Sequence, residues 1–114
     1  MKRRVLWGIV LAVLVTFAAC ARNMATGPIN DGVAAANEED WEKAVQHWTK
    51  ALELTPDSAA AHNNLAVAYE RQGSWEQAAK EYETALRLDP DNAQIRGNYE
   101  SFKGRLEAGR KRKS

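Results

Sequence analysis

The chain has 114 residues, a formal net charge of +1 and one cysteine. That length supports one small domain, and a single cysteine excludes an internal disulfide framework and any zinc site built from paired cysteines. No CxxC, CxxCH, HExxH, GxGxxG or P-loop pattern occurs, so redox, haem, zinc-protease and nucleotide chemistry have no motif to stand on.

The N-terminus differs from everything after it. Met1-Lys2-Arg3-Arg4 is basic, Val5 to Phe17 carries no charge, and the small residues Ala18 and Ala19 precede Cys20. This three-part pattern reads as a signal peptide over residues 1–19. Its apolar run falls short of the roughly 20 residues that span a bilayer. Phe17-Ala18-Ala19-Cys20 resembles the bacterial lipoprotein signal, although Phe17 departs from the usual leucine. That resemblance implies acylation of Cys20 through its sulfur. Ordinary cleavage in Ala19-Cys20-Ala21 and an uncleaved anchor are the alternatives. All three place the rest of the chain beyond the plasma membrane. Residues 20–27 read as a short linker.

Four helices and a basic end follow. Asp40 can cap Trp41 to Leu54, which Pro56 stops; Ser58 or Asp57 can cap Ala59 to Gln72, which Gly73 ends. Ser74 and Gln77 have capping-box spacing for the next helix, and Pro90 stops it, because the residue before a proline is pushed out of the α region. In the last segment Ile95, Tyr99, Phe102 and Leu106 form one apolar stripe, predicting a helix over 93–108 that covers the end of the core. Residues 109–114 read as a basic tail, either a disordered solubilising end or a contact for anionic lipid head groups or an acidic partner.

A repeat underlies these elements. Trp41, Ala44, Trp48, Ala51, Leu52 and Pro56 recur 34 residues later as Trp75, Ala78, Tyr82, Ala85, Leu86 and Pro90. The period and the residue types resemble the tetratricopeptide repeat family. Residues 59–92 fit throughout, with Leu65, Ala66, Tyr69, Gly73, Ala78, Tyr82, Ala85 and Pro90 in place and His62 where tryptophan is usual. Residues 25–58 fit in their second half. There Gly32 is in place, but Asp31, Ala35 and Glu39 replace the leucine, tyrosine and turn glycine, so this repeat's first helix should be short, loose or frayed. The resemblance implies an all-α fold: about two antiparallel helix pairs and a C-terminal capping helix, together a domain over 28–108. So short an array invites self-association.

Nothing assembles into a catalytic set. His47 reads as an outer-face residue, His62 as a packing residue, Glu38-Glu39-Asp40 as a solvated cap rather than a metal site, and Trp41 and Trp75 as staples of their turns. No cofactor and no enzyme activity are expected. Residues 25–92 hold thirteen acidic and five basic residues, whereas 93–114 hold two and seven. An acidic body argues against nucleic acid as a partner.

The family resemblance implies a protein-binding scaffold whose first helices line a groove. Its positions here are Ile29, Val33, Asn63, Val67, Glu70 and Arg71, suited to an extended segment or helix of another envelope protein. One subfamily grips a C-terminal carboxylate with lysines, an arginine and asparagines. Here Asn64 matches that set, but Ile29, Val33, Gln94 and Asn98 hold the other places, so that ligand is not expected. The combined expectation is a scaffold or assembly factor tethered by Cys20, with Ala21 resembling the outer-membrane sorting pattern and the domain facing the periplasm. A soluble periplasmic adaptor is the alternative.

Overall fold

The computed structural model describes residues 24–114. The signal-peptide reading, the modification of Cys20 and the first linker residues lie outside the described residues. Residues 24–37 are helical (α1) and are followed by α2 (Trp41–Leu54), α3 (Ala59–Arg71), α4 (Trp75–Leu88) and α5 (Ala93–Lys113). The described residues contain no strand, and none of their helices is long and apolar enough to cross a membrane.

The local signals explain most boundaries. Asp40 Oδ1 accepts the Lys43 amide at 3.1 Å, Ser58 Oγ accepts that of Ala61 at 3.2 Å, and Asn92 Oδ1 accepts those of Gln94 and Ile95. Thr55 and Asp89, each before a proline, take φ −139° and −141° and leave the helix. The capping box expected at Ser74 does not form: Ser74 makes no side-chain cap bond. Its backbone N–H, which a capping box would direct to Gln77, donates instead to the Tyr69 carbonyl at 2.8 Å. That bond, with Gly73 N–H to Glu70 O at 3.1 Å and Gly73 at φ 76°, closes α3 in a Schellman turn.

Small residues allow the helices to pack closely. Ala35, Ala44, Trp48, Leu65 and Ala68 form one buried cluster; Ala66, Ala78, Tyr82 and Phe102 form the next. The second is an aromatic stack, with Phe102 centred 5.3 Å from Tyr82 and Tyr99 5.7 Å from Tyr82. Burial stabilises each of the large side chains by about 1.5–3 kcal/mol. The stripe on α5 meets this core as expected: Ile95 and Phe102 are buried, Tyr99 and Leu106 half-buried.

Three expectations need correction. First, α1 is not short, because Trp48 supplies the packing that Asp31 and Ala35 lack. Its indole lies against Gly32, where an added Cβ would fall 2.3 Å from Nε1, and Nε1 donates to the Ile29 carbonyl at 3.1 Å. Trp48 is larger than Tyr82, its counterpart one repeat later, and fills the space over the buried Ala35. Second, residues 24–27, expected in a linker, are already helical. Third, α5 runs to Lys113, so the expected basic tail is helix through that residue. Arginine and lysine are good helix formers, and cations suit a helix C-terminus.

Candidate partner-binding groove

Short hairpin connections alternate the helix directions, so α3 and α5 run the same way on one side of α4. Two bonds, each linking residues 35 apart, fix their register: Asn98 Nδ2 donates to Asn63 Oδ1 at 3.2 Å, and Arg105 Nε donates to Glu70 Oε1. Between them opens a cleft of about 580 Å³ lined by Val67, Glu70 and Arg71 of α3 and by Asn98, Ser101 and Arg105 of α5. Gly73, Trp75 and Tyr82 complete its lining.

Of the six groove positions read from sequence, the structure gathers Val67, Glu70 and Arg71 around this cleft, while Asn63 is buried and outside its lining, bonded to Asn98. Glu70 is held inward: Tyr82 Oη donates to its Oε2 at 3.1 Å while Arg105 engages Oε1. Burial and then the Glu70 charge push the Tyr82 phenol well above its ordinary range, and the bond to Glu70 raises the Arg105 guanidinium further. Arg71 is exposed, its guanidinium 5.5 Å from the centre of the Trp41 ring. Ile29 is not part of this cleft; with Ala25, Thr55, Asp57 and Ser58 it lines a separate depression. Val33 lies on α1, 43% exposed.

Sequence reasoning missed Ser101 and Arg105, and it weighed Asn98 only against the carboxylate-binding set. The signal was available: one further step of 34 residues carries Asn64 to Asn98, Val67 to Ser101 and Arg71 to Arg105, marking α5 as another first helix as well as a cap. Trp75, read from sequence as a staple of its turn, lines this cleft as well. It remains 43% exposed, its ring 6.1 Å from Phe102. The His62 ring is tied on both sides, Nδ1 to Glu81 at 2.6 Å and Nε2 to the Pro56 carbonyl at 3.0 Å, so it locks α3 to α4. The described residues hold no group of three or more histidine, cysteine or carboxylate side chains able to hold a metal ion.

Residues 31–93 match the family model for the tetratricopeptide repeat. The chain belongs to the tetratricopeptide repeat family. Solved structures agree in fold. The C-terminal tetratricopeptide domain of an FK506-binding protein from Plasmodium falciparum is 28% identical with a TM-score of 0.71, over 79% of this chain and 60% of that one. The second such domain of human RPAP3, in complex with the HSP70 peptide SGPTIEEVD, is 26% identical with a TM-score of 0.66, over 69% and 66%. The Arabidopsis OM64 domain, at 23% identity and a TM-score of 0.70 over 77% and 73%, shares the fold. This tetratricopeptide chain therefore spans less than two thirds of the length of the first two. No curated protein matches it.

Proposed function

We propose that this tetratricopeptide protein is a non-enzymatic scaffold of the bacterial cell envelope, anchored through acylated Cys20 and facing the periplasm, most simply from the outer membrane. It holds an extended segment or helix of another envelope protein between α3 and α5. The observation that carries the binding role is the cleft itself: two parallel first helices present an apolar residue, Val67, among the polar groups of Arg71, Asn98, Ser101 and Arg105. Apolar anchors flanked by a few oriented polar groups suit recognition of a peptide or helix. The peptide complex of the RPAP3 domain supports this use of the fold. Ile29, Val33, Gln94 and Asn98 hold four of the places of the carboxylate-gripping set, and of the two arginines in the cleft Arg105 is already paired with Glu70, so a terminal carboxylate is not the ligand proposed.

Two measurements test the two halves of this reading. A photo-crosslinker placed at Ser101, on the exposed rim, should capture a discrete envelope protein, and Val67→Lys should lose that capture while helicity is kept. Capture indifferent to Val67 would move the binding surface elsewhere. Palmitate labelling and outer-membrane fractionation should both disappear in Cys20→Ala. A soluble wild-type protein beginning at Arg22 would replace the lipid anchor by the soluble periplasmic adaptor that the Ala19-Cys20-Ala21 pattern allows.

A further inference from the structure

A second cleft, of about 730 Å³, lies on the other side of Trp75. It is bounded by the α3–α4 turn, the first turn of α4, and Leu106 and Arg110 of α5. Gly73 and Trp75 line both clefts, so the exposed indole borders each of two separate hollows. Arg110 is part of the second's lining, and Lys111, Arg112 and Lys113 follow it, all exposed on the last turn of α5. None of these four forms an ion pair; among the described residues the ion pairs are His62–Glu81, Lys103–Glu100 and Arg105–Glu70. Against these four cations stand only Glu76 of the lining and Glu107 one turn back on α5, so this end of the helix keeps a net positive charge that attracts anions.

We infer that this Trp75 cleft and the basic end of α5 form a docking surface for an acidic segment of a protein partner, with an apolar side chain seated against Trp75 and Leu106 and carboxylates meeting Arg110 to Lys113. It rests on the scaffold reading above but uses a surface that Val67 does not line. Three observations favour an acidic chain over an anionic bilayer. The surface is a hollow with an aromatic wall, which accommodates a chain and not a plane. The acidic α1–α2 turn, Glu38-Glu39-Asp40, emerges at the same end of the helical layer and would be pressed against the same bilayer. Finally, alternating helix directions put residue 24 and Lys113 at opposite ends of that layer, so an anchor on the N-terminal side, as in the proposal above, would favour a partner over the anchor's own bilayer at the basic end. Exposed Trp among cations is also the composition of a binding anchor, since aromatic residues carry much of an interface's affinity and charge sets partner choice.

The test uses the full chain in neutral detergent micelles and a fluorescein-labelled synthetic peptide in which a phenylalanine precedes four glutamates, read by fluorescence anisotropy. The peptide should bind, weaken as salt rises, and lose about tenfold when its glutamates become glutamines. Replacing Arg110, Lys111, Arg112 and Lys113 together by glutamine should cost a similar factor, and Trp75→Ala about fivefold or more. The glutamine variant leaves the core untouched, so its result stands even if Trp75→Ala destabilises the fold. Val67→Lys should leave peptide binding unchanged. Failure of crosslinking at Ser101 with intact peptide binding would therefore overturn the groove alone. Affinity unaltered by the glutamine replacements overturns the present inference. So does tight binding to phosphatidylglycerol vesicles that excess peptide does not displace, which would make the surface a lipid contact. Salt-sensitive self-association abolished by Glu38→Lys with Glu39→Lys would overturn it in favour of a second copy of this chain.

Discussion

Replacing Glu39 by glycine should stabilise this protein, although it removes a side chain and adds nothing. Glu39 ends α1 with φ 60°, the left-handed conformation in which a non-glycine residue is strained. Its N–H donates to the Ala36 carbonyl, and that of Asp40 to the Ala35 carbonyl, both at 3.0 Å. The same two bonds occur 34 residues later at Gly73 and Ser74, where glycine holds φ 76°. The left-handed conformation costs an L-residue about 1–2 kcal/mol. Glycine relieves this but returns about 0.5–1 kcal/mol through the greater freedom of its unfolded chain. Glu39→Gly should therefore gain about 0.5–1 kcal/mol, roughly 2–8 °C in Tm for a domain of this size. Gly73→Ala should lose about as much, and no crowding intervenes, since a Cβ there meets nothing within 4 Å. Charge is the competing explanation, because Glu39 sits at the C-terminus of α1, where a carboxylate is disfavoured by about 0.3–1 kcal/mol. Glu39→Ala separates the two: it removes the charge and keeps the strain. Thermal melts followed by circular dichroism should rank Glu39→Gly clearly above both Glu39→Ala and the wild type. Equal gains from alanine and glycine would refute the backbone argument.

At Gly32, helix propensity and packing oppose each other. Alanine is better than glycine in a helix by about 1 kcal/mol, but a Cβ there would lie 2.3 Å from Trp48 Nε1. Overpacking of about 1–3 kcal/mol should win, so Gly32→Ala should lower Tm while Gly104→Ala, with open space around it, raises it. Tyr82 links stability to alkaline pH. Burial, then Glu70, raises its phenol, so the native state keeps a proton that the unfolded chain releases near pH 10. That stabilisation is complete below about pH 10 and is lost as pH rises further toward the native value. Tyr82→Phe should lower stability at neutral pH by about 0.5–1.5 kcal/mol and flatten the alkaline decline in urea midpoints.

What the sequence determined by itself are the features that act over a few residues or repeat along the chain. Asp40, Ser58 and Asn92 cap helices because each oxygen needs only an amide two or three positions ahead, and Pro56 and Pro90 constrain the residue just before them. The 34-residue period set the helix pairing, because equivalent apolar positions must meet equivalent neighbours. What only the tertiary structure decided depends on side chains competing across helices. Glu70 reads in sequence as a groove residue, yet Tyr82 and Arg105 turn it inward; Asn63 is likewise taken by Asn98. Trp48 rescues a helix whose own residues predict fraying, because the missing volume is filled from the neighbouring helix rather than from α1. Each outcome turns on which of two partners lies nearer in space, and residues 12 to 35 apart in sequence acquire that distance only when the helices pack.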